Sequence, residues 1–191
     1  MSAKSSHAEL NGLLNEAQAV TVETQREFGQ LNAEQLNWKP SAEEWSIGQC
    51  FEHLIMTNET FYPDLDELLS GEKRRTFWEQ LPLLPGLFGK LIISRVRPDS
   101  GKKSKAPKVF APSQSEIDSR VIEKFVAHQN ELAEKLRATE KMDLRRVKVT
   151  SPVAKFVTYS LLDAFTILVF HERRHFQQAQ RVLAANGFPR S

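Results

Sequence analysis

His171, Glu172 and His175 stand in the order and spacing H-E-x-x-H. On a helix this spacing sets two imidazoles one turn apart on a single face, where they can share a divalent cation. In metalloproteases the intervening glutamate is the general base. The protease reading fails here on its third ligand, which those enzymes take from downstream of the second histidine. The residue six positions on is Arg181, Gln178 replaces the glycine of the longer motif, and the tail after His175 contains no Asp, Glu or His. A third ligand therefore has to come from upstream, and the candidates are His7, His53 and His128.

At 100° per residue, Ala164, Leu168, His171, His175, Ala179 and Val182 fall within an arc of roughly 80°. Both histidines thus belong to the apolar stripe of their helix. Buried neutral imidazoles need hydrogen-bond partners, and two in adjacent turns need twice as many. A shared metal ion satisfies both, and a structural polar cluster is the alternative. His7 lies near a terminus that is expected to fray. His128 lies beside the Phe125–Leu132–Leu136 line of its helix and is expected to be solvated. His53 sits at the edge of an apolar stripe, one step before Leu54, a position that suits a ligand facing a cleft. Three neutral histidines on one side of a metal leave positions open for water or substrate, as in catalytic zinc sites.

Neighbouring polar residues have more modest readings. Glu172 is expected to hydrogen-bond to an adjacent helix, or to pair with Arg173 or Arg174, in preference to acting as a base. Asn58 either orients a ligand or bonds to backbone, and Gln178 is placed to contact a metal-bound group. Cys50 falls in an apolar stripe and reads as core, because a nucleophilic thiol needs exposure and a lowered pKa. Trp38 and Trp45 are expected to plug the end of a helical bundle, or to wall a pocket rim.

These residues need helices to position them. Leu10, Leu13, Leu14, Ala17, Val20, Phe28 and Leu31 mark an amphipathic helix over residues 8–31. Ser46 and Gln49 have capping-box spacing and open a second helix, which Pro63 should kink or end. Residues 71–114 are the least regular part and hold Pro82, Pro85, Pro98, Pro107 and Pro112. Within them "GLFGKLIISRV" suits a short helix and "RPDSGKKSKAPK" an exposed, mobile loop. Ser113 and Glu116 predict a third helix reaching about Thr139. The stretch "LRRVKVTSPVAKFVTYS" reads as a linker with room for an extended piece. A last helix is predicted over residues 160–185, with Gly187 as a left-handed cap. Four long helices imply an all-α four-helix bundle with one long crossover, a single domain over residues 1–191 with an insertion at about 71–114.

Composition is ordinary for a globular domain, with 40% hydrophobic and 26% charged residues. One cysteine excludes an intramolecular disulfide, and no apolar run is long enough to span a bilayer. A cytoplasmic protein without a membrane partner is expected. From Lys90 to Lys108 there are seven basic residues and one acid, Asp99. Without interleaved aromatics this run reads as a solvated loop, and nucleic acid is not an expected partner.

The segments "LNWKPSAEEWSIGQCFEHLIMTNETFY" and "DAFTILVFHERRHFQQAQRV" together resemble the DinB-like superfamily, which includes bacillithiol transferases and proteins described as metal-dependent hydrolases. The matching features are Trp38–Pro40, Trp45–Ile47, His53–Leu54, and His171 and His175 followed by Gln178. The resemblance implies an up-down-down-up four-helix bundle with a divalent metal, zinc or nickel, whose three histidine ligands correspond to His53, His171 and His175. It implies a small-molecule substrate, with a low-molecular-weight thiol as one candidate, and a homodimer. Thiol S-transfer or hydrolysis is the expected activity. The competing expectation is a non-catalytic bundle serving as a binding or stress-response module. The insertion at 71–114 departs from simpler members and leaves the substrate open.

Overall fold

A computed structural model describes residues 3–80, 84–98, 110–113 and 116–190. The fold is mostly helical: α1 (Ala3–Phe28), α2 (Ala33–Asn37), α3 (Ile47–Glu59), α4 (Tyr62–Ser70), a 3-10 turn (Trp78–Gln80), α5 (Leu84–Val96), α6 (Val121–Ala138) and α7 (Leu161–Leu183), with a hairpin of β1 (Lys148–Thr150) and β2 (Thr158–Ser160) before α7. The long helices α1 and α3 each pack against both α6 and α7, while α5 lies on α7 and β2.

Local signals set most helix starts. Ser46 caps α3 through a reciprocal box with Gln49, and Ser160 caps α7 through one with Asp163. Each box satisfies amide groups that the first helical turn leaves without partners. Pro63 stands in the first turn of α4, where its missing N–H costs nothing, so the expected break falls between Glu59 and Tyr62.

The core forms two apolar clusters. One gathers Leu10, Leu13, Leu65, Leu132, Phe165 and Leu168. The other gathers Val20, Phe28, Phe51, Leu54, Phe125 and Phe176. Between them, in sequence and in space, lies a polar layer: fully buried Asn58 on α3, Gln129 on α6 and Glu172 on α7. The paired histidines of α7 also fall between Leu168 and Phe176 or immediately beside them.

The structure corrects several boundaries. α1 stops at Phe28, three residues short of the expected Leu31, where Gly29 leads into a turn. α6 begins at Val121, well after the Ser113–Glu116 spacing suggested. The backbone before it is claimed from elsewhere. The Ser113 N–H donates to Glu52 and the Ser113 carbonyl accepts from Gln49. Asn37 brackets Ile117, accepting from its N–H and donating to its carbonyl. The linker before α7 is a true antiparallel hairpin, pairing Val149 with Tyr159. Gly187 does take a left-handed φ of 85°, but α7 ends earlier, with Ala184 at φ −86° as its cap. Among its described residues the insertion carries the 3-10 turn and one regular helix, α5, and the loop expected over Arg97–Lys108 lies mainly outside the described residues. No helix among the described residues is long and apolar enough to cross a membrane.

Candidate metal centre

The Ser160 box and the buried ladder Ala164, Leu168, Ala179 and Val182 fix which face of α7 turns inward. His171 and His175 lie on that face, His171 partly buried and His175 buried. On α3, the fully buried Ile47, Cys50, Phe51 and Leu54 fix the inner face in the same way, and His53 is 3% exposed. The expected edge position is therefore covered. Phe110 folds over it, with its carbonyl 2.6 Å from His53 Nδ1, and the Trp45 ring lies 4.9 Å from the imidazole.

The three side chains converge. His171 Nε2 is 3.2 Å from His53 Nε2 and 3.1 Å from His175 Nε2. One donor nitrogen from each residue lies within 4.8 Å of the others. A carbonyl can only accept, so His53 Nδ1 carries the proton and donates to Phe110, and His53 Nε2 presents a lone pair to the centre. His171 Nε2 can donate a proton to one of its two neighbours and not to both. Protein hydrogen bonds alone leave at least one nitrogen–nitrogen contact unsatisfied. A cation drawing on three lone pairs removes that conflict, so these three buried histidines fit a metal ion.

Electrostatics favours the same state. Burial, with the nearby His53 and Arg174 adding to it, pushes His171 down to about 3. Burial holds His175 well below the usual range, reinforced by His171 and His53. His53 is also lowered by burial, partly offset by the Phe110 carbonyl. At neutral pH all three imidazoles are neutral, the form that ligates metals.

Glu172 is fully buried and turns to the polar layer, where the Asn58 amide donates to its Oε1 at 2.7 Å. This bond to a neighbouring helix is the expected one. The arginines pair elsewhere: Arg173 with Glu16 and Glu23, and Arg174 with the Arg95 carbonyl. Burial pushes the Glu172 carboxyl up to about 7, against the pull of the Gln129 and Asn58 amides. Asn58 thus bonds a side chain, neither a ligand nor backbone. Gln178 lies close enough to His175 to pull its pKa upward slightly against the effect of burial. Cys50 is sealed in the core, its thiol pushed up to about 12 by burial.

The two tryptophans part company. Trp38 packs its edge on Phe188 and closes the helical end, as expected of a plug. Trp45 instead stacks on His175, centroids 5.5 Å apart and planes 15° from parallel, and so forms one wall of the histidine site. The other upstream candidates lie elsewhere. His7 pairs with Glu140 at 2.8 Å. His128 is buried, correcting the expectation of a solvated ring. It stacks on Tyr62 at 5.2 Å with planes 9° apart, and burial lowers it to about 4. Two features had no signal in the sequence: the Phe110 carbonyl and the Tyr62–His128 stack join residues separated by 57 and 66 positions.

Residues 14–179 match the family profile of the DinB superfamily. An uncharacterised protein of Bacillus subtilis (strain 168), YuaE, is 28% identical over 171 residues, which span 89% of this chain and 94% of that protein. No solved structure matches significantly.

Proposed function

The chain belongs to the DinB superfamily, and from that premise we propose that it is a metal-dependent enzyme acting on a small molecule, a thiol S-transferase or a hydrolase. His53, His171 and His175 would be the ligands, and zinc or nickel suits an all-imidazole set. The observation that carries the reading is the meeting of three neutral Nε2 atoms, two of them within 3.2 Å of the third. A bound divalent cation would supply positive charge that favours the anionic form of a thiol or a water.

The chain's own residues have defined parts in this account. The Phe110 carbonyl fixes the His53 tautomer, and Trp45 holds His175 by its face and keeps water from that side. Glu172 braces α7 against α3 and is not assigned the role of base. The sealed Cys50 thiol cannot take part, so sulfur chemistry here requires an external low-molecular-weight thiol. The same reading takes α1, α3, α6 and α7 as an up-down-down-up four-helix bundle in one domain, in a cytoplasmic homodimer. The near-complete burial of His53 and His175 favours a second reading, a bundle that binds metal as a stress-response or binding module without turnover.

The test is turnover by protein carrying its metal. It is incubated with a small thiol and an alkylating electrophile, and separately with an activated ester, with and without chelator. Thiol or ester consumption that chelation and His171→Ala both abolish supports the enzyme. Stoichiometric metal with no consumption of either substrate overturns it in favour of the second reading.

A further inference from the structure

The large apolar side chains that stand exposed are not scattered. Among the described residues they are Phe77, Trp78, Leu87, Leu91, Val153 and Phe156, together with the remote Val22. The first six come from three short segments: residues 74–78 at the 3-10 turn, 87–91 on α5 and 153–156 in the hairpin loop. Ring contacts join the segments. Phe77 meets Trp78 at 5.5 Å, Trp78 meets Phe156 at 6.5 Å, and Phe156 meets Phe88 at 6.4 Å. The orientation of α5 is fixed from below. Gly89 sits against Asp163 so closely that a Cβ would come within 2.6 Å of the carboxylate, and Ile92, Ile93 and Val96 pack on the core. Leu87, Lys90 and Leu91 are thereby turned outward.

Each segment also brings a cation. "RRTFW" carries Arg74 and Arg75, "LFGKL" carries Lys90, and "VAKF" carries Lys155; none of the three contains an acid. All four cations are exposed, and none forms an ion pair among the described residues. We infer that this face docks the protein on the surface of an anionic lipid bilayer.

Three considerations favour that occupant. Exposed aromatic and aliphatic side chains with lysine and arginine beside them in each segment match the layered chemistry of an anionic membrane surface, apolar below and negative above. A second copy docking through the same face would set these four cations against themselves across the two-fold axis. Phe77, Leu87 and Phe156 are 68%, 64% and 54% exposed and come from three different segments. A protein partner would need a matching socket for each, whereas a fluid headgroup layer needs none. That no helix among the described residues is long and apolar enough to cross a membrane does not bear on this face.

The experiment is co-sedimentation of the whole chain with vesicles of phosphatidylcholine alone and of phosphatidylcholine containing phosphatidylglycerol. Binding to the anionic vesicles is expected to be at least about ten-fold tighter and to weaken with salt. Arg74→Gln with Arg75→Gln should weaken it by roughly 25-fold, at about five-fold per cation. Phe156→Ser, at an exposed position, should weaken it by at least about ten-fold with an unchanged melting temperature. Failure to bind anionic vesicles, equal binding to both compositions, or unchanged binding in Phe156→Ser overturns the inference. A dimer that Phe156→Ser dissolves and anionic vesicles leave intact also overturns it, and assigns the face to a second copy.

Discussion

Burial drives acids and bases in opposite directions within a few ångströms of the histidine site. It pushes the Cys50 thiol up and the three imidazoles down, because the charged form of each is the one that loses water. Cys50 should therefore be inert in the native protein. At pH 8, a maleimide reagent should leave it unmodified until denaturant is added, and rapid labelling without denaturant would contradict its placement. The thiol's fate was legible in the sequence, since Cys50 shares a stripe with Ile47, Phe51 and Leu54. The state of His53 was not. A helical wheel can place it at an edge, but cannot show that Phe110, 57 residues on, covers that edge and sets its tautomer.

At the scale of elements, α3 and α7 each deliver ligating candidates and are pinned together by the Asn58–Glu172 hydrogen bond in the polar layer. Asn58→Ala removes the donor and leaves a fully buried carboxyl without it. Urea unfolding should show a loss of about 2–3 kcal/mol. Glu172→Gln keeps the acceptor and should cost less, so an equal or larger loss in Glu172→Gln would deny the bond this role. The start of α3 was readable because a capping box is local, complete within four residues; the expected start of α7 at about Ser160 also coincides with such a box. The start of α6 was misread because its preceding backbone is held by Asn37, Gln49 and Glu52, a tertiary claim that overrides a correctly spaced serine and glutamate. The hairpin before α7 was hidden for a related reason. Its strands are three residues each, too short for a repeating pattern, and exist through their pairing.

For the molecule as a whole, the buried histidines tie stability to pH. His128 has a folded pKa of about 4, below the ordinary 6.5 it regains on unfolding. Between those values the unfolded chain binds more protons than the native one, so stability rises with pH. The contribution of His128 is complete above about pH 6.5 and is lost as pH falls through about 4, a loss on the order of 2 kcal/mol. Urea midpoints at pH 7, 5 and 4 should fall in that order, with a shallower fall in His128→Gln; an unaltered slope in the variant would exclude His128 as a source. The mostly helical character and the pairing of remote histidine segments could be read from the sequence, the first by periodicity and the second through family resemblance. The two-cluster core with its polar layer could not, because it depends on how Asn58, Gln129 and Glu172 come into register across three helices.

The account rests most heavily on a shared cation among the three imidazoles, and elemental analysis of protein purified without added metal tests it most directly. Near-stoichiometric zinc or nickel in the native chain, lost in His171→Ala, is the predicted result. Metal retained after both His171→Ala and His175→Ala, or a native chain that carries none and takes up none, would contradict it.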